Sequence, residues 1–164
     1  MTERRGDGTD TVIATTSYTL TAGSEVELLR TVGSSSTYAV DLTGNELANT
    51  IVGNAAGNRL HGGAGNDLLC GYGGNDVLFG DQGDDVFLFT AGSGKDAIGD
   101  FAGNGDAAGD TIRFLNGPVS SFGELMAHGS QQGSDVVFSF DAHTSLTLNN
   151  VQLAALSAQD FVFA

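Results

Sequence analysis

The sequence predicts an all-β chain wound as a right-handed parallel β-roll, a β-helix solenoid with irregular coils before it and a β-rich cap after it. Three observations predict this. From Gly44 to Leu88 the chain repeats every nine residues, five times without a gap: GNELANTIV, GNAAGNRLH, GGAGNDLLC, GYGGNDVLF and GDQGDDVFL. The eighth place is apolar each time (Ile51, Leu60, Leu69, Leu78, Phe87), and glycine opens all five repeats. Glycine supplies 25 of 164 residues against a single proline, yet hydrophobic residues reach 40% and recur with the period, so a core can form where composition alone would suggest disorder.

Each repeat reads as six turn residues and three strand residues. Side chains alternate across a strand, so only the middle one of three faces inward, which is the eighth place. The turn half is glycine-rich because it curls back through φ values that a Cβ resists. One repeat is then half a coil. Repeats one, three and five stack on one edge, and repeats two and four on the other.

The sixth place carries Asn49, Asn58, Asp67, Asp76 and Asp85. Stacking brings the carboxylates of alternate repeats together, Asp67 over Asp85 and Asp76 facing Asn58. Like charges this close repel, so the bare array resists folding. A hard cation that seeks six to eight oxygens resolves the conflict, with aspartates and glycine-peptide carbonyls as donors. Calcium suits such a turn better than magnesium, which demands a tighter octahedron and keeps its waters. Zinc is disfavoured, since three scattered histidines and one cysteine make no ligand cluster.

The nonapeptide pattern G-G-x-G-x-D-x-U-x, where U is apolar, resembles the RTX (repeats-in-toxin) β-roll, whose repeats bind calcium in a parallel β-helix. The resemblance implies a ligand set. Sixth-place side chains two repeats apart share an ion, and carbonyls of the second and fourth places complete the shell, often with the first. On this chain these are Asp67, Asp76 and Asp85, with Gly63 and Gly65, Tyr72 and Gly74, and Asp81 and Gly83, supported by Gly62, Gly71 and Gly80. Asn49 and Asn58 depart from the pattern. They keep an oxygen but lose the charge, so they imply either weaker sites or turns that are structural only. Residues 91–101, AGSGKDAIGDF, resemble the closing turn of RTX rolls, with Ile98 inward and Asp96 and Asp100 as candidate ligands of a final site.

Three regions follow: irregular N-terminal coils over 1–43, the roll over 44–101 and a cap over 102–164. In the first, residues 6–10 look like the tail of an earlier turn, as if this were the end of a longer ancestral chain. TVIATTSYTL, EVELLRTV and TYAVDL read as strands separated by AGS and GSSS turns, a block similar to the stretch preceding repeats in RTX proteins. In the cap, DTIRFL, SDVVFSFD and TSLTLNNV read as strands and FGELMAHG as a short helix. Phe122, Leu125 and Met126 are expected in the core. The final Asp160-Phe161-Val162-Phe163-Ala164 resembles the acidic-then-apolar ending of uncleaved type I secretion signals. With no apolar stretch behind Arg4 and Arg5, no Sec-type signal is read. The localisation implied is extracellular, and the type I secretion machinery is an implied partner.

Net charge is −14 and fifteen of the twenty acidic residues are Asp, which argues against nucleic acid and anionic membrane as partners. No apolar run approaches the ~18 residues of a membrane span. Lone Cys70 allows no internal disulfide. The AGSGK loop lacks the spacing and following Ser or Thr of a phosphate loop, and residues 103–110 lack the EF-hand pattern. HExxH and GxSxG are absent, and His61, His128 and His143 share no motif, so no catalytic role is read. The expected function is calcium binding in a folding and secretion module. The alternatives are a polysaccharide-facing accessory module, similar to mannuronan C5-epimerase R-modules and to tails of secreted lipases and serralysin-type proteases, or an adhesin segment.

Overall fold

The computed structural model describes residues 8–103 and 109–164. Two of the five residues read as an earlier turn, Gly6 and Asp7, and most of the acidic 103–110 stretch lie outside the described residues.

Successive strands alternate between two facing sheets. One sheet holds β1 (Thr11–Ala14), β3 (Leu28–Thr31), β5 (Thr50–Asn54), β7 (Leu68–Tyr72), β9 (Val86–Thr90), β11 (Thr111–Leu115) and β15 (Phe161–Phe163), parallel throughout and in that order. The other begins with β2 (Tyr18–Thr19), β4 (Leu42–Thr43), β6 (Arg59–Ala64), β8 (Val77–Gln82), β10 (Lys95–Ile98) and β14 (Ser145–Leu148), also parallel. It ends in β13 (Asp135–Ser139) and β12 (Gly129–Gln132), which turn antiparallel. The chain is a right-handed parallel β-roll.

The register has the eighteen-residue coil the repeats require. Ile51 pairs with Leu69 and Leu69 with Phe87 in one sheet, while Leu60 pairs with Leu78 in the other. All five eighth-place side chains are buried, at 0–3% exposure. The same inward columns run beyond the repeats, through Leu29, Ile112 and Phe161 on one side and Leu42, Ile98 and Leu148 on the other. An aromatic cluster closes the far end. Phe114 stacks on Phe163 at 5.4 Å and meets Phe89 edge-on at 5.4 Å, a preferred geometry for ring pairs. The residues read as a secretion signal are thus β15 and its approach, with Asp160 buried and its carboxylate accepting from the Ser157 amide.

Several local readings shift. TVIATTSYTL splits into β1 and β2, one in each sheet, because a half coil leaves room for only a short strand. TYAVDL contributes only its last residue to β4, and the Val40 carbonyl goes to the Asn58 side chain instead of a strand ladder. The helix α1 (Phe122–Ala127) forms as read, with Ser121 as its N-cap and Leu125 buried. Strand β12 was not anticipated. Its Gly-Ser-Gln-Gln has no apolar alternation and owes its conformation to pairing with β13 across a turn at Gly133, where φ is +64°.

Truncating a fully buried eighth-place side chain removes packing without room to collapse. Leu69→Ala is expected to lower the unfolding free energy of the calcium-loaded protein by about 2–5 kcal/mol in denaturant titrations. Leu78→Asp places a charge in the same core and is expected to abolish the β signal in circular dichroism even at saturating calcium. A folded Leu78→Asp protein would show that the inward assignment is wrong.

Candidate metal centre

The sixth-place residues form two columns, one at each edge of the roll. In the odd column the Asn49 amide donates to Asp67 Oδ1 (2.7 Å), the Asp67 amide to Asp85 Oδ1 (2.8 Å) and the Asp85 amide to Asp110 Oδ1 (3.0 Å). In the even column the Asn58 amide donates to Asp76 Oδ1 (2.7 Å) and the Asp76 amide to Asp96 Oδ1 (3.0 Å). Each carboxylate thus holds the backbone of the coil before it. All five aspartates are buried.

The second oxygens tell a different story. Oδ2 of Asp67 and of Asp76 is fully buried and has no hydrogen-bond partner. An orphaned carboxylate oxygen in a protein interior is costly, and a missing ion is one of the few explanations that fit. Each Oδ2 folds back over the glycine that opens its own repeat. A Cβ on Gly62, Gly71 or Gly80 would overlap the carboxylate of Asp67, Asp76 or Asp85 respectively, and the Gly80 carbonyl also crowds the face of Gly62. The opening glycines make room for an oxygen-lined cradle.

The turns themselves are set to aim carbonyls. In the three Asp repeats the second and fourth places lie at positive φ: Gly63 and Gly65 (+109°, +98°), Tyr72 and Gly74 (+71°, +106°), Asp81 and Gly83 (+65°, +142°). Gly92 and Gly94 do the same (+77°, +101°), which makes AGSGKDAIG at 91–99 a sixth nonapeptide, displaced by the two extra residues Phe89 and Thr90. Tyr72 and Asp81 hold this conformation without glycine's freedom, at a cost of order 1–2 kcal/mol each.

Among the described residues no three His, Cys, Asp or Glu side chains converge on one metal position. The donors on offer are pairs of carboxylates and peptide carbonyls, all oxygen, which suits a hard cation and not zinc. His61 lies outside the columns, on the outer face of the roll. It stacks on Phe79 (4.5 Å between rings), contacts Asp81 Oδ2 through Nδ1 (3.0 Å) and receives a hydrogen bond from Arg59 Nε (3.1 Å).

Asn49 and Asn58 behave differently from the aspartates. Asn49 Oδ1 accepts from the Asn45 amide (2.9 Å), and its Nδ2 donates to the Val26 carbonyl (2.7 Å). Asn58 Oδ1 accepts from the Asn54 amide (2.8 Å), and its Nδ2 donates to the Val40 carbonyl (3.0 Å). Asp100, read from the sequence as a ligand beside Asp96, stands by the odd column, where its charge acts on Asp85 and Asp110. Its two oxygens accept from the amides of Gly80 (3.1 Å) and Asp81 (2.8 Å), so it caps a turn while Asp96 continues the even column. Asp110 continues the odd column and was missed. It is 25 residues from Asp85, not eighteen, although Asp110-Thr111-Ile112 repeats the Asp-x-apolar triplet of the array.

Burial pushes the column carboxyls up, Asp67 and Asp96 to about 7 and Asp76 and Asp85 to about 6. Loss of hydration is the largest cause. Neighbouring carboxylates add to it at Asp67, Asp85 and Asp96, and the amide donated from the preceding coil opposes it.

The RTX calcium-binding nonapeptide repeat, in its four-copy form, matches residues 43–78, 52–87 and 71–98. Residues 43–98 thus carry RTX nonapeptide repeats, a calcium-binding repeat type. No curated protein matches the chain. Among solved structures, a subunit of the mannuronan C5-epimerase from Azotobacter vinelandii is similar over 74% of this chain and 91% of its own, with 25% identity and a TM-score of 0.52. The extracellular lipase LipA from Serratia marcescens is similar over 86% of this chain, with 16% identity and a TM-score of 0.49. This chain spans 40% of the lipase's length.

Two predictions follow from the geometry. A raised carboxyl binds its proton in the folded state and not in the unfolded one between the ordinary value near 4 and its own. Its contribution to stability is therefore full below pH about 4 and lost as pH rises through 6 to 7. Calcium-stripped protein is expected to melt higher at pH 5 than at pH 8, and calcium affinity to rise over the same interval because the ion displaces those protons. Second, Gly71→Ala is expected to weaken calcium binding by at least about tenfold (~1.4 kcal/mol) in calorimetry. Gly123→Ala, with open space around its Cβ on α1, is expected to leave binding unchanged.

Proposed function

We propose that this chain is a calcium-dependent folding module of an exported protein, largely unfolded until the metal arrives. The observation that carries the reading is the pair of buried, unpartnered carboxylate oxygens on Asp67 and Asp76. The ions would be held by Asp67 with Asp85 on the odd edge and Asp76 with Asp96 on the even edge. The carbonyls of Gly63, Gly65, Tyr72, Gly74, Asp81 and Gly83 would join them, with those of Gly62, Gly71 and Gly80 in support. Asp100, which caps the turn at Gly80 and Asp81 and whose charge acts on Asp85 and Asp110, would stand at the border of the odd-edge site. The three regions 1–43, 44–101 and 102–164 serve as leading coils, metal-binding roll and closing cap.

Where free calcium is scarce, the chain's −14 net charge and buried carboxylates keep it extended. Such a chain can pass through a type I secretion channel. Outside the cell, calcium binds only the folded roll and stabilises it by mass action, about 2.7 kcal/mol per site at a hundredfold excess over Kd. The extracellular setting fits the calcium-binding repeats, which need a compartment where the ion is plentiful. No helix of the described residues is long and apolar enough to cross a membrane.

A polysaccharide-facing role is the second reading. It rests on the 25% identity to an epimerase subunit and on the Arg59–His61–Phe79 stack, where a guanidinium lies 4.4 Å from an aromatic ring on the outer face.

The test is far-UV circular dichroism from EGTA to ~10 mM calcium, above the 10⁻⁴–10⁻³ M range of extracellular calcium modules, with magnesium as control. A calcium-specific gain of β signal is expected. Asp76→Ala is expected to raise the calcium midpoint, and Asn49→Ala to move it less. A full β spectrum in EGTA would overturn the folding role.

A further inference from the structure

We propose that the two Gly-Asn-x-x-x-Asn turns, 44–49 and 53–58, take no calcium and form a metal-independent foot on which the calcium-binding coils are built. The inference rests on the calcium reading above and divides the array that reading treats as one.

The two turns are near-identical in their bonding. In each, the second-place asparagine accepts from the fourth-place amide, Leu47 to Asn45 Oδ1 (3.0 Å) and Ala56 to Asn54 Oδ1 (2.8 Å). That same asparagine donates its Nδ2 to a carbonyl of the preceding coil, Ser24 (2.8 Å) or Tyr38 (3.0 Å). The sixth-place asparagine closes the turn from the other side, accepting from the second-place amide and donating to Val26 or Val40. Neither Asn45 nor Asn54 takes the positive φ of Gly63, Tyr72 and Asp81. With φ negative, the second-place amide points at the sixth-place oxygen and satisfies it. In the Asp67 and Asp76 repeats the corresponding oxygen is the orphan.

The amide nitrogen does here what a cation does further along. It presents positive hydrogen to the preceding coil's carbonyl and needs no ion between them. A carboxylate in the same place would set oxygen against oxygen. The peptides of the preceding coils agree with this division. Those above Asn49 and Asn58 turn a carbonyl toward the side chain, and those above Asp67, Asp76 and Asp85 turn an amide.

Burial draws the same boundary. From residue 8 to 61 the buried polar residues are one threonine and four asparagines, with no buried carboxylate. From Asp67 onward they include Asp67, Asp76, Asp85, Asp96, Asp110 and Asp160. The foot contributes Ala14, Leu20, Leu29, Val40, Leu42, Ile51 and Leu60 to the continuous core and, among the described residues, no buried charge to neutralise.

The experiment is hydrogen exchange on the full chain with and without calcium, paired with calcium stoichiometry for the wild type and Asn58→Asp. Amides of 45–58 are expected to be protected in the metal-free protein and to change less than about twofold on adding calcium, while those of 63–85 gain tenfold or more. Asn58→Asp, equal in shape to the original, is expected to lose protection over 53–61 without calcium. It is also expected to recover that protection with calcium and to bind one more ion. If calcium protects 45–58 as strongly as 63–85, or Asn58→Asp binds no extra ion, the foot does not exist though the calcium reading stands. If no segment responds to calcium, both fall together.

Discussion

The roll depends on one contact repeated down each edge: a buried aspartate that uses one oxygen to hold the amide of the preceding coil and, at Asp67 and Asp76, leaves the other without any partner from the polypeptide. The first oxygen fixes the register, since an amide eighteen residues away can meet it only when the strands are aligned. The second makes that alignment unfavourable unless a cation is present. Structural order and metal demand thus reside in a single side chain, and neither can be adjusted without the other. The hydrophobic columns need no such condition. They would pack in any coil that buries the eighth place.

Several oddities of the turns follow from this contact. The opening glycines of all five repeats are bare because a sixth-place oxygen, of Asn or Asp alike, folds over them. Tyr72 and Asp81 take left-handed backbone where Asn45 and Asn54 do not, and their amides are not spent on the sixth-place carboxylate as those of Asn45 and Asn54 are on the sixth-place amide oxygen. Asp100 reinforces the same conformation from outside, taking the Gly80 and Asp81 amides that the left-handed turn leaves free. The strain is concentrated where the cation's attraction is available to offset it.

Much of this could be read from the chain. Eighth-place burial, the eighteen-residue coil and the alternation of repeats between edges follow from period and pleat alone. The sixth-place aspartates identified the kind of ligand before any coordinates. What stayed hidden depended on direction. Asparagine at the sixth place reads as a weakened aspartate, whereas its consequence lies in which way its amide and the peptide above it point. That orientation depends on the φ of a residue four places earlier. Asp110 was obscured by an intervening loop, although its Asp-x-apolar triplet was there to be matched. Asp100 sits four residues from Asp96, and only the coil path separates a column member from a turn cap. Strand β12 carries no pattern of its own, because its partner, not its composition, makes it a strand.

The ladder also has a polarity. In both columns the amide belongs to the earlier coil and the carboxylate to the later one, without exception from Asn49 to Asp110 and from Asn58 to Asp96. No coil is therefore finished by its own residues. Each is clasped by a carboxylate about eighteen residues or more further along, so the last coil of either column has no successor to hold its backbone in this way. Removing a clasp leaves the amide of the coil before it without its partner, while Asn66 and Asn75 tie coils in the opposite sense, accepting from the amides of Asp84 and Lys95.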